Sequence, residues 1–324
     1  MPSGASGLGP NANLRFVTGK GGVGKTTIAA AYSVLAARDG RRVLAVDVLN
    51  RGDLADRLAD QMAGIETSGL AGPPQILGLT TAQALDEYIK RYLRIPIAPS
   101  NLGPLSRIFD FVSAAAPGVK EILTIGKIGH ETVNGPWDDV IVDAPASGHV
   151  IEMLAAPASL SRLTPSGPLA SQTLWLQQML DSPTTAVTVV ATPEELPLAE
   201  TEQLLARLRA ETNVCVDTLV INRVPPAVSD AGLETTSQLD LRSSTETPRS
   251  VVRSLQALIA VAIDRDLTAR PFIELLRTLA IEHELAVIEI ADDPLATATS
   301  VVAAMTGTDT PGKLIDDGEG RQEP

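Results

Sequence analysis

Near its start the chain carries Gly19-Lys20-Gly21-Gly22-Val23-Gly24-Lys25-Thr26, in which glycines, two cations and a hydroxyl recur at the spacing Gly-x-x-x-x-Gly-Lys-Thr. Glycine at 19, 21, 22 and 24 lets successive backbone N–H groups, that of Val23 among them, converge on an anion without a side chain in the way. Lys25 adds a full positive charge suited to the β- and γ-phosphates of a nucleotide. The Thr26 hydroxyl is suited to Mg²⁺, and Thr27 offers a further hydroxyl to a phosphate. This pattern predicts a phosphate-binding loop for a nucleotide and Mg²⁺.

Further along, Val140-Ile141-Val142-Asp143 is an apolar run ending in an acid. That form suits a carboxylate that holds Mg²⁺ directly or through water. Asp47 ends another apolar run and is followed by Val48-Leu49-Asn50-Arg51-Gly52-Asp53, where Asp53 is expected to cap the next helix. His149 suits a positioning hydrogen bond better than a general base. The lone cysteine, Cys215, reads as a small core residue.

These groups need elements to hold them. Leu14 to Thr18 reads as a strand feeding the glycine loop, and a helix follows from Lys25 to about Arg38, ended by Gly40. Further strands are expected at Arg42 to Asp47, Gln75 to Leu79, Asp139 to Asp143, Thr185 to Ala191, Cys215 to Asn222 and Ala286 to Ile290. The clearest later helices are Glu194 to Glu211 and Val251 to Asp264. The alternation predicts an α/β fold, a doubly wound and mostly parallel sheet with ligands at the carboxyl ends of its strands. Thr81 to Asn134 and Ala155 to Asp181 lack strands and read as a helical insertion subdomain. The domain is expected over 14–306, between a disordered tail at 1–13 and a disordered acidic tail at 307–324.

The loop Gly-Lys-Gly-Gly-Val-Gly-Lys-Thr-Thr resembles the deviant P-loop of the class that includes the ArsA, MinD, ParA and nitrogenase iron-protein families. Asp143-Ala144-Pro145-Ala146-Ser147-Gly148-His149 is similar to the second switch of ArsA-type ATPases, and Ala116-Pro117-Gly118-Val119-Lys120-Glu121 and Thr192-Pro193-Glu194-Glu195-Leu196-Pro197-Leu198-Ala199-Glu200-Thr201 resemble further segments of that family. Ile221-Asn222-Arg223 resembles the strand end whose Asn carboxamide reads the adenine edge. The chain thus looks like an ArsA-like P-loop ATPase, related to the ATPases that target tail-anchored membrane proteins, and closest to single-P-loop members of actinobacteria. The resemblance implies several roles. Lys20 reaches a partner's nucleotide, as an arginine finger in trans does. Asp47 orients or deprotonates the attacking water, and Gly148 offers its N–H to the γ-phosphate. ATP and Mg²⁺ are the implied cofactors, and a homodimer or a heterodimer with a paralogous subunit the implied assembly. After Asp47 the family reads Pro-Ala-His, which this chain lacks.

Composition excludes other roles. A net charge of −13 over 324 residues disfavours binding to nucleic acid or anionic lipid. One cysteine cannot build the thiol site of an arsenite pump, an inter-subunit zinc clamp or an iron–sulfur cluster. No apolar run reaches the ~20 residues of a membrane span. A cytoplasmic ATPase remains, coupled either to a client with a hydrophobic segment or to a soluble partner that it regulates or assembles. Leu105, Ile108, Phe109, Phe111, Val112, Ile122, Leu123, Ile125, Trp175, Leu176 and Met179 could line a client groove, or form the core of the helical insertion.

Overall fold

The computed structural model describes residues 14–63, 71–79, 119–163, 168–226, 249–292 and Met305. Both tails, the segment 80–118 with five of the groove candidates, and the segment 227–248 lie outside these residues.

Seven strands form one sheet in the order β3-β2-β4-β1-β5-β6-β7, and every pairing is parallel. The strands are β1 (Leu14–Gly19), β2 (Val43–Asp47), β3 (Gln75–Gly78), β4 (Asp139–Asp143), β5 (Thr185–Ala191), β6 (Cys215–Val224) and β7 (Ala286–Ala291). The helices are α1 (Lys25–Arg38), α2 (Asp53–Met62), α3 (Val119–Asn134), α4 (Ser147–Leu163), α5 (Pro168–Leu180), α6 (Glu195–Glu211) and α7 (Arg249–Glu282).

Each strand alternates its side chains between two cores, as the pleat requires. Leu14 and Phe16 of β1, Leu44 and Val46 of β2, and Val140 and Val142 of β4 join Ile122 and Ile125 of α3 and Leu176 of α5 on one face. On the other face Val17, Ala45 and Ile141 pack against Ile28, Val34 and Leu35 of α1 and Leu54 of α2. A sheet covered on both faces needs apolar residues at nearly every strand position, so the inner strands read as unbroken Val, Ile and Leu runs.

Three expectations change. Cys215 opens β6 at the sheet margin and is exposed, because only the following residues of that strand are covered. Asp53 is the first residue of α2, whose cap is Gly52 in a left-handed conformation. The last helix extends to Glu282, through Pro271, well beyond Asp264. Strands β1, β6 and β7 run one to two residues past their expected ends. Ile122, Leu123, Ile125 and Leu176 are buried and Trp175 and Met179 half-buried, so the groove candidates within the described residues serve the core of their own subunit. Among the described residues no helix is long and apolar enough to cross a membrane.

One charge sits inside this apolar frame. Arg15 of β1 is 1% exposed and forms a two-pronged pair with Asp217 of β6, both bonds 2.7 Å. It also donates to Thr188 Oγ1 of β5 at 2.7 Å and lies 4.9 Å from the centre of the Tyr32 ring of α1. Burial disfavours the guanidinium charge, but Asp217 and Tyr32 outweigh it and hold its pKa above the ordinary value. The network ties three strands to α1 directly below the glycine loop. Asp217→Ala leaves the guanidinium buried without its counter-ion and should lower the unfolding free energy by about 3 kcal/mol, measured by urea denaturation.

Candidate active site

The parallel sheet brings the carboxyl ends of β1, β2, β4 and β6 to one edge, and all the predicted site residues lie there. The glycine loop leaves β1 at Gly19 and enters α1 at Lys25. Its shape depends on two close approaches. A Cβ at Gly19 (φ 146°) would lie 2.1 Å from the carbonyl oxygen of Val190, and one at Gly24 (φ 97°) would lie 2.3 Å from Nδ2 of Asn222. Around Gly21 and Gly22 the space is open. No side chain caps α1, which leaves its first-turn N–H groups available to an anion such as a phosphate. The Thr27 carbonyl accepts from Gln61 of α2, which ties the first turn of α1 to its neighbour.

Thr26 Oγ1 donates to Asp143 Oδ2 at 2.7 Å, so the two predicted Mg²⁺ ligands are already adjacent. A hydroxyl and a carboxylate are hard oxygen donors, and two protein ligands beside phosphates are what Mg²⁺ ordinarily takes. The Lys25 ammonium donates to the Lys20 carbonyl at 2.9 Å, within the loop it serves. Burial lowers the pKa of Lys25, against the pull of Asp143.

Asp47 and Asp143 are register partners on β2 and β4. Asp47 is buried and accepts from the backbone N–H of Asn50 at 2.7 Å and of Gly52 at 3.2 Å. Asn50 and Gly52 adopt positive φ of 49° and 85°, which folds the loop back over the carboxylate. The sequence Asn50-Arg51-Gly52 thus builds a closed turn after Asp47 without the Pro and His of the family pattern. The carboxylate retains lone pairs that could accept from a water.

The second switch starts from Asp143. Thr18 Oγ1 donates to the Pro145 carbonyl at 2.9 Å, fixing the segment to β1. Gly148 lies in the first turn of α4 and is exposed with open space around it. His149 is exposed and pairs only weakly, at 3.3 Å, with Glu152 one turn on.

Asn222 ends the covered part of β6, where the β6–β7 register breaks and Arg223 takes φ 59°. Its Nδ2 donates to the Val23 carbonyl at 2.8 Å, so this carboxamide props the glycine loop. Beside it lies a cavity of about 500 Å³ lined by Pro193, Glu194, Arg223, Pro225, Arg265 and Asp292. Lys20 pairs with Glu200 of α6 at 3.2 Å. The pairing of Glu200 with Lys20, the turn around Asp47 and this cavity escaped the sequence reading. The resemblance at Thr192-Pro193-Glu194 marked the cavity wall without revealing the space behind it.

Two carboxylates in register interact unfavourably. Burial is the larger cause, with Asp47 adding to it, and together they push the Asp143 pKa up to about 6 from 3.8. A carboxylate whose folded pKa is raised destabilises the fold once it ionises; the penalty is absent below about pH 4 and complete above about pH 6. The side chain is half-buried, so water screens part of it. Asp143→Asn keeps an acceptor for Thr26 and removes the charge. In EDTA, without nucleotide, the variant should melt about 2–4 °C above wild type at about pH 8 and level with it at about pH 4, by scanning calorimetry.

Comparison with known proteins matches residues 13–165 and 170–246 to the family of anion-transporting ATPases. The chain is 32% identical over 237 residues to ATPase BagA of Mycobacterium tuberculosis, covering 70% of this chain and 68% of that protein. It is 23% identical over 241 residues to putative arsenical pump-driving ATPase 2 of Aquifex aeolicus, covering 65% and 80%. With ATPase GET3C of Arabidopsis thaliana it shares 26% over 261 residues, covering 64% and 66%. The matched residues contain the glycine loop, Asp47, Asp143, Gly148 and Asn222. With this loop, these carboxylates and this match, the chain is an ATPase and belongs to the anion-transporting ATPase family.

Proposed function

We propose that this ATPase is a dimeric switch whose nucleotide state governs binding and release of a protein client. The observation that carries the dimer is the division of labour between its two loop lysines. The Lys25 ammonium bonds back to the loop carbonyl of Lys20, whereas the Lys20 ammonium leaves the loop and pairs with Glu200 on α6. A cation at that position can serve a nucleotide held by a facing subunit, a second copy or a paralogue.

In this reading the N–H groups of residues 19–24, Lys25 and Thr27 hold the phosphates. Thr26 and Asp143 hold Mg²⁺, which would neutralise charge on the β- and γ-phosphates. Asp47 orients the attacking water from its closed turn, and the Gly148 N–H meets the γ-phosphate, so that phosphate loss frees the second switch. The nucleoside fits the cavity beside Asn222. With Nδ2 already bonded to Val23, the carboxamide has its oxygen left to accept from the adenine amino group.

The resemblance to membrane-protein targeting ATPases supports a client with a hydrophobic segment, handled in the cytoplasm. A second reading, a regulatory or assembly ATPase acting on a soluble partner, draws support from the burial of Ile122, Ile125 and Leu176 in the core of their own subunit. Anion pumping lacks the thiols it would need.

Steady-state ATP hydrolysis measured across protein concentration tests the mechanism. The rate per subunit should rise with concentration, and Lys20→Ala and Asp47→Asn should each lose about 100-fold or more. A rate that is independent of concentration and survives Lys20→Ala would sink the trans-lysine mechanism.

A further inference from the structure

Strand β1 does more than launch the glycine loop. Alternation puts Thr18 on the same side of β1 as Leu14 and Phe16, whose neighbours come from α3, α4 and α5. Thr18 is fully buried. A hydroxyl out of reach of water needs a partner within the protein. It donates to the Pro145 carbonyl at 2.9 Å, joining groups 127 positions apart in the chain.

The bond stands where backbone pairing gives out. Strands β1 and β4 are in register as far as Val17 and Asp143. One residue on, the Ala144 N–H still reaches the Val17 carbonyl at 3.0 Å. Pro145 has no N–H with which to continue the ladder. The Thr18 hydroxyl takes over, and among the described residues it makes the last hydrogen bond between β1 and this segment. Burial changes at the same place. Pro145 is buried, Ala146 and Ser147 are half-buried, and Gly148 and His149 are exposed. From Val150 onward α4 is seated again, with Val150, Ile151, Met153 and Leu154 in the core. The exposed stretch is therefore held at two points, a single hydrogen bond before it and an apolar seat after it. Gly148 lies three residue steps beyond Pro145, at most roughly 10 Å of chain.

We infer that Thr18 is a positioning residue: its hydroxyl is the pivot from which the second switch presents the Gly148 N–H to the γ-phosphate. The inference rests on the reading of Gly148 given above. Gly19, the first residue of the glycine loop, follows Thr18 directly on the same strand. The loop that cradles the phosphates and the switch that meets the last of them thus share one origin. Their separation is set within the subunit, which is what telling a triphosphate from a diphosphate requires. Losing the pivot therefore weakens contact with the γ-phosphate and spares the β-phosphate.

Calorimetric titration of the full chain with Mg²⁺ and either ADP or a non-hydrolysable ATP analogue tests this. Wild type should prefer the analogue. Thr18→Val keeps the shape and removes the donor; it should reduce that preference about tenfold, with ADP affinity within about twofold of wild type. Thr18→Ser keeps the donor and should restore the preference to within about threefold. Thr185→Val is the control for lost stability. Thr185 is buried at the amino end of β5, away from the site, and its hydroxyl donates to the Met179 carbonyl at 2.7 Å. That variant should lower the melting temperature about as much as Thr18→Val, by about 3–6 °C, and leave nucleotide preference unchanged. If Thr18→Val fails to fold, Thr18→Cys, whose thiol is a weak donor, should still cost about threefold in preference. A Thr18→Val protein with wild-type preference overturns the inference. So does a Thr18→Ser protein that behaves like the valine variant, an equal loss in Thr185→Val, or a wild type that binds both nucleotides alike. Gly148→Pro removes the N–H itself, in a first turn where proline is tolerated. If Gly148→Pro keeps the preference while Thr18→Val loses it, the reading of Gly148 falls and the pivot stands. If Gly148→Pro loses the preference while Thr18→Val keeps it, the reading stands and the pivot falls.

Discussion

The active site depends on two places where backbone runs too close to its surroundings for a side chain. At Gly19 the chain presses on the Val190 carbonyl of the neighbouring strand, and at Gly24 on the carboxamide of Asn222. A methyl group at either position would force the loop off the sheet or off β6. Because the loop is pinned at both ends, little of its conformational entropy would remain to be lost on binding a phosphate. The Arg15 network below serves the same end: it locks β1, β5, β6 and α1 together at the base from which the loop springs.

Around this rigid centre the charges are arranged against stability. Asp47 and Asp143 share a register position, and burial makes their juxtaposition worse. A divalent cation and a triphosphate bound there, as proposed above, would change that balance. The remaining contacts hold the site in waiting. Asp47 is wrapped by its own turn, Lys25 by its own loop, and Lys20 by Glu200. Each of these partners is one that a nucleotide or a neighbouring subunit could replace.

The sheet was legible because its strands are covered on both faces, so burial writes itself as continuous Val, Ile and Leu. The positions of the loop and the two acids at strand ends were legible because each follows directly on an apolar run. Three things were not. Cys215 has the composition of a core position, but its place at the strand's first residue exposes it, and position along a strand is not a property of residue type. The turn around Asp47 uses an asparagine in a left-handed conformation, which sequence alone does not distinguish from an ordinary loop asparagine. The length of α7 was missed because the expected helix ended at Asp264, where the apolar run meets Asp264-Arg265-Asp266, although the helix continues through Pro271 to Glu282. Asn222 shows the limit of a resemblance: the residue stands where expected, and its amide nitrogen supports the loop.

Helix α1 has one more property. Every residue from Ile28 to Ala37 is buried, and five of these ten are alanine. It has no solvent face and is gripped by the sheet, by α2 and by the Arg15–Tyr32 contact. In mechanical terms it is the stiff member of the site. A load applied at the phosphates cannot be absorbed by bending it, so displacement must appear in the compliant members, the turn after Asp47 and the segment from Pro145 to His149. The direction in which the enzyme yields is therefore set by the part that does not move.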